Sequence, residues 1–121
     1  MNSTHTGQKI EQIVCQNLEK QSWTILKTNY RRPGCEIDII AEKMNTLIFL
    51  EVKYRKLFGD RELNIAELLP TKKQTSLKKG ALLFLESQNR TWDTMRHDLI
   101  LVTKKSPTNK LSFTYFLNIL N

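Results

Sequence analysis

The sequence predicts a single α/β domain, one mixed five-stranded sheet flanked by two main helices, and three observations lead there. Its 121 residues match the commonest size of one globular domain. The apolar residues recur with a helical period in two segments and gather into strand-like runs in five others. The order of these segments is helix, three strands, helix, two strands, with no repeat, linker or low-complexity stretch between them. A chain of this length buries roughly two-thirds of the surface its unfolded form exposes, so it needs no metal or disulfide staple.

Between Gly7 and Gln21, residues Ile10, Ile13, Val14 and Leu18 share one helical face, with Thr6 placed to cap the first turn. Residues 1–6 are expected to be a disordered tail of the 1–121 domain. Trp23 to Leu26 reads as the first strand, Arg31-Arg32-Pro33-Gly34 as a tight turn, and Glu36 to Ala41 as the second strand. The polar turn Glu42-Lys43-Met44-Asn45 has hairpin length. It leads into Thr46 to Tyr54, whose almost continuously apolar centre fits a strand covered on both faces. From Arg55 to Pro70 the pattern weakens, as in a mobile loop with room for one helical turn between Leu63 and Leu69. Thr71-Lys72-Lys73-Gln74 has the form of a capping box and opens the second helix, whose apolar face is Leu77, Ala81, Phe84 and Leu85. Asp98 to Val102 and Phe113 to Leu120 are the last strands, separated by the turn Ser106-Pro107-Thr108-Asn109.

Nineteen Lys and Arg against twelve Asp and Glu give a formal net charge of +7, which favours an anionic partner such as nucleic acid or a membrane surface. No basic amphipathic helix with large apolar anchors is present to serve a membrane. The longest apolar run, Leu47 to Leu50, is far too short to span one, and the first residues lack the plan of a signal peptide. A soluble cytoplasmic protein is expected. Cys15 and Cys35 show neither CxxC spacing nor a nearby His pair, so both are expected to be free thiols.

The chemistry-bearing stretch is Gly34-Cys35-Glu36-Ile37-Asp38-Ile39-Ile40, followed thirteen residues after Asp38 by Glu51-Val52-Lys53. A hairpin at residues 42–45 sets these strands side by side, so that Asp38 and Glu51 can enter one cleft as hard oxygen ligands for Mg²⁺ or Mn²⁺, flanked by Lys53. Glu51 and Lys53 end an apolar strand, where an unpaired charge is costly and some partner must compensate it. A bound cation is one solution. The other is an ordinary Glu51–Lys53 ion pair, with Asp38 capping a turn or meeting Arg31, and bare spacing taken alone favours this second reading. Arg31, Arg32, Lys53, Arg55 and Lys56 cluster at the predicted strand ends, and Thr71 to Gly80 carries four lysines and no acid, with Lys72 and Lys79 on one helix side. These residues, Lys73 included, suit a phosphate backbone as well as a solvated face. Tyr30 and Tyr54 can stack on bases or pack on the sheet.

Four segments in order, Gly-x-Glu-Ile-Asp-Ile-Ile-Ala, Ile-Phe-Leu-Glu-Val-Lys-Tyr-Arg, Pro-Thr-Lys-Lys-Gln and Arg-His-Asp-Leu-Ile, resemble the YraN-like family, catalogued as UPF0102 and similar to Holliday-junction resolvases and other PD-(D/E)XK nucleases. The resemblance runs from about Gly7 to Leu120. It departs from the family pattern at Ile10 and Cys35, where glycine is usual, and at His97, where phenylalanine is usual. It implies a restriction-endonuclease-like fold and a metal-dependent nuclease acting on DNA, of branched or structured form. Asp38 and Glu51 match the metal-binding acids, Lys53 the motif lysine, and Glu11 the helix acid that many such enzymes bring to the cleft. Glu11 also reads as a solvated helix-edge residue. Gln74 matches a glutamine that some of these enzymes use, although the capping box accounts for it. A symmetric homodimer is the arrangement resolvase-like enzymes often adopt. The alternative is a binding module for nucleic acid or protein that keeps the fold without turnover.

Overall fold

The computed structural model describes residues 3–58 and 62–120. Its elements are α1 (Ser3–Lys20), β1 (Thr24–Arg32), β2 (Cys35–Lys43), β3 (Thr46–Phe58), the single turn α2 (Ile65–Leu68), α3 (Thr71–Glu86), β4 (Thr94–Ser106) and β5 (Lys110–Phe116). The strands form one sheet in the order β1-β2-β3-β4-β5. Every neighbouring pair is antiparallel except β3 and β4, which run parallel. That parallel step needs a crossover, and α2 with α3 supplies it.

Each helix covers one face of the sheet. Ile10, Val14 and Leu18 of α1 pack on Ile39, Ala41, Ile48, Leu50, Ile100 and Val102. On the other face Leu77, Ala81 and Phe84 of α3 meet Tyr30, Ile37, Ile40, Phe49, Leu99 and Leu101. The runs Leu47–Leu50 and Leu99–Val102 are continuous because β3 and β4 are the strands buried from both sides. The fold class and element order thus match the sequence expectation, and the architecture is consistent with a restriction-endonuclease-like fold.

Element ends differ from that expectation for local reasons. Residues 3–6, assigned from sequence to a disordered tail, belong to α1, so the helix starts ahead of the expected Thr6 cap. β1 runs on to Arg32 although only Tyr30 in its second half is buried, because backbone pairing with β2 holds an edge strand that hydrophobic alternation does not mark. β3 and β4 each continue past their apolar centres by pairing with one another as far as Phe58 and Ser106. β5 starts earlier, at Lys110, and ends at Phe116. Beyond it Asn118 adopts φ +54°, and residues 117–120 turn back, with the Ile119 N–H donating to the His97 carbonyl. The capping box does not form: the helix begins one residue earlier, with Pro70 as its N-cap, so Gln74 stands at the fourth helical position instead of the third and its side chain donates to the Leu69 carbonyl. Of the expected loop, residues 59–61 lie outside the described residues, and its helical turn is α2, capped by Asn64.

Two short turns set the register around the site. Gly34 takes φ +79° between β1 and β2, and Met44 and Asn45, at φ +49° and +63°, form a two-residue hairpin loop between β2 and β3. Gly80 sets how closely α3 approaches β2, since a Cβ there would stand 2.9 Å from Ile37 Cδ1 and 3.1 Å from its Cγ1. Ile37 is fully buried and has little room to yield. Gly80→Leu should therefore destabilise the fold by about 1–3 kcal/mol despite leucine's better helix propensity. Urea unfolding checks this, and a midpoint equal to the parent's would show that α3 can shift freely.

Candidate functional site

The β2–β3 ladder pairs Lys43 with Thr46 and continues to Ile39 with Leu50, where it stops. One step further would set Asp38 opposite Glu51. Instead the Asp38 carboxylate occupies the ladder's place: its Oδ2 accepts the Val52 N–H at 2.8 Å. On the other side of β2 the register with β1 passes over Asn29 and Asp38 without pairing them, and Asn29 has φ +50°. Regular alternation would put Ile37 and Ile39 on the same face, yet Ile37 packs under α3 and Ile39 under α1. Asp38 thus sits where β2 changes face and parts from β3.

Glu51 lies beside it with only 3 % of its surface exposed. Its Oε1 is 3.7 Å from Lys53 Nζ and 3.6 Å from Lys73 Nζ. Its Oε2 is buried without a hydrogen-bond partner. Burial raises the Glu51 carboxyl to about 8, the neighbouring Asp38 carboxylate pushes the same way, and Lys73 and Lys53 only partly oppose them. On α1, Glu11 turns inward: one of its carboxyl oxygens is buried and unpartnered. Burial first, then the charges of Asp38 and Glu36, raise it to about 7 against the lowering effect of Arg31. Three carboxyls and two lysines therefore share this region, with Asp38 electrostatically linked to both other acids.

The remaining candidates are distributed around it. Arg31 pairs with Glu36 at 3.2 Å, not with Asp38, and Arg32 lies over the Tyr30 ring at 4.5 Å. Lys72 is exposed on α3. Arg55 and Lys56 are exposed further along β3, with the Arg55 guanidinium donating to the Tyr54 carbonyl. Lys73, read from sequence as a nucleic-acid lysine, is drawn in to Glu51. Tyr30 is buried edge-on against Phe84. Cys15 and Cys35 are free thiols, and Cys35, Ile10 and His97 are absorbed by packing, His97 stacking on Phe49.

Sequence reasoning missed Asp98, the second buried acid, also 3 % exposed. Arg96 Nε donates to both of its oxygens, at 3.1 and 2.9 Å, and the Asn118 N–H donates to Oδ1 at 2.9 Å. Asp98 is thus fully satisfied and pins the chain beyond β5. The available signal was Arg96 two residues before Asp98, on one strand face at the start of an apolar run.

Among the described residues no group of three or more His, Cys, Asp or Glu side chains forms a metal cage. Asp38 and Glu51 still suit a hard divalent ion, since Mg²⁺ commonly takes one or two protein carboxylates and fills its other positions with water and phosphate oxygens. The unpartnered Glu51 Oε2 is the oxygen that such an ion would satisfy. Among the described residues no helix is long and apolar enough to cross a membrane.

Fold and cluster together define a mixed-sheet α/β protein with an acid-and-lysine cleft at a parting of two strands. The chain belongs to the family described as Uncharacterised protein family UPF0102, which it matches over residues 10–102. It is 33% identical over 119 residues to a UPF0102 protein of Dictyoglomus thermophilum, covering 98% of both chains. A UPF0102 protein of Carboxydothermus hydrogenoformans is 32% identical over 123 residues, covering 100% of this chain and 99% of its own. One from Desulfosudis oleivorans is 36% identical over 98 residues, covering 79% and 76%.

Glu51 and Glu11 both ionise at higher pH in the folded chain than in the unfolded one, where carboxyls titrate near 4.5. Their contribution to metal-free stability is complete below about pH 4.5 and is lost as pH rises through about 7 to 8. Glu51→Gln should flatten this decline and exceed the parent in stability above about pH 8. Denaturant midpoints measured in EDTA across that range test it. Superimposable pH profiles for parent and variant would contradict the assignment.

Proposed function

We propose that the protein is a divalent-metal-dependent nuclease that hydrolyses phosphodiesters in DNA of branched or otherwise structured form. The observation that carries this reading is the meeting of Asp38 with Glu51, whose buried Oε2 lacks a partner while Lys53 and Lys73 stand at its Oε1. Asp38 and Glu51 would hold the cation, Mg²⁺ or Mn²⁺. When bound, that ion would supply a Lewis acid for the phosphodiester and ease ionisation of the attacking water.

The chain's own residues have separate parts. The hydrogen bond from Val52 fixes one Asp38 oxygen, and the other would be the ligand to the cation. Lys53, half-buried beside Glu51, would hold the attacking water in line or stabilise negative charge building on the phosphoryl oxygens. Glu11, with its carboxyl raised to about 7, can hold or release a proton near neutral pH on the α1 side of Asp38. The net charge of +7 supports DNA as the polyanion, since carboxylates alone would repel it.

The two lysines at Glu51 also fit a second reading, a binding module in which they neutralise the acid permanently without turnover. Incubation of the purified protein with duplex, flap, single-stranded and four-way DNA in Mg²⁺ and in Mn²⁺ separates the two. The nuclease reading predicts metal-dependent cleavage of at least one of these by the parent. Lys53→Met should lower the cleavage rate at least about 100-fold while folding and DNA affinity stay near the parent's, because its charge acts chiefly in the transition state. Binding without cleavage of any substrate would favour the binding module.

A further inference from the structure

The β1–β2 turn and the first half of α3 enclose an open trough beside the carboxylates. One part, of about 670 Å³, is lined by Gly34, Lys72, Lys73, Ser76 and Lys79 among others. The adjoining part, of about 450 Å³, shares Gly34, Lys73 and Ser76 and adds Arg31, Arg32 and Glu36. Five cationic side chains therefore line the trough against one acid, and that acid, Glu36, is already paired with Arg31 at 3.2 Å.

The glycine at the turn is part of the construction. A Cβ on Gly34 would stand 2.8 Å from Lys79 Nζ, and its φ of +79° is one that L side chains rarely adopt. Bare backbone there lets the Lys79 ammonium lie over the turn, bringing a cation of α3 up to the Arg31–Arg32 corner. Lys73 belongs to both parts of the trough, and its Nζ is also 3.6 Å from Glu51 Oε1. The trough therefore leads to the carboxylate cluster and does not pass it by. Its walls carry no large apolar side chain to anchor a lipid or a peptide, and closely spaced cations with a hydroxyl suit a chain of phosphates.

We infer that this trough is the track of one phosphodiester strand, held by Arg32, Lys72 and Lys79 and delivered to Asp38 and Glu51 at Lys73. The inference rests on the nucleic-acid reading above but not on turnover, and a binding measurement in EDTA keeps the two apart. Fluorescence anisotropy of a short labelled duplex, titrated over a range of salt, compares the parent with Lys72→Gln/Lys79→Gln and with the control Lys20→Gln/Lys27→Gln. All four lysines are exposed, and unchanged melting temperatures would confirm that the variants fold.

If about four to six phosphates are contacted, the parent's log K should fall against log salt with a slope near −4 to −5. The trough variant should be shallower by about 2, and the control should match the parent. A parental slope in the trough variant, or equal flattening in the control, overturns the track. If the trough slope is as expected but no DNA is cut in Mn²⁺, the track stands and the nuclease reading fails. If DNA is cut but the trough variant keeps the parental slope, the reverse holds. A parent that binds no DNA at any salt sinks both.

Discussion

The site depends on one hydrogen bond, from the Val52 N–H to the Asp38 carboxylate. An antiparallel ladder normally spends each such donor on a carbonyl of the facing strand, and extending the β2–β3 pairing by two steps, to Ile37 opposite Val52, would do that here. A carboxylate in that position accepts a charge-assisted bond, so the donor stays satisfied while the two strands separate. The separation opens the cleft. It also accounts for Ile37 and Ile39 serving opposite cores from positions two apart, and for Asp38 sensing both Glu51 on the α3 side and Glu11 on α1.

Comparison of the two buried acids shows what distinguishes a closed site from an open one. Asp98 and Glu51 are equally buried, each 3 % exposed. Asp98 receives Arg96 through both oxygens and a backbone N–H besides, which is the full satisfaction a buried carboxylate needs. Glu51 has two lysines at 3.6 and 3.7 Å from one oxygen and none at the other, beside a second carboxyl, so its charged form is strongly disfavoured. The fold has thus left one buried acid short of positive charge. A divalent cation or a phosphate-bound cation complex is the chemistry that fills such a deficit.

Much of this was legible in the sequence. The two helical faces and the apolar runs of β3 and β4 fixed the order of elements, because burial on both sides leaves an unambiguous pattern. Edge strands and strand ends were not legible: β1 beyond Leu26 is held by backbone pairing, and the chain after Phe116 is turned by Asn118 and held by Asp98. Asp38, Glu51 and Lys53 could be singled out because charges at the ends of apolar strands need an explanation. Lys73 could not be told from its neighbours, since only the docking of α3 brings it to Glu51. The capping box was plausible in residue types, yet α3 starts one residue earlier, at an N-cap Pro70 with no side-chain oxygen, which leaves Gln74 out of position. Glu11 was readable either way until the packing of α1 turned it inward.

The central claim is that Asp38 and Glu51 form a single cation site, and the thermal response of the protein to Mn²⁺ tests it most directly. Two carboxyls that disfavour joint ionisation in the free protein are both favoured as anions by a bound divalent ion. The parent's Tm should therefore rise with Mn²⁺ in proportion to the logarithm of concentration over Kd once the site fills. Asp38→Asn should remain folded and lose most of that increment. An identical Mn²⁺ response in the parent and Asp38→Asn would contradict the account.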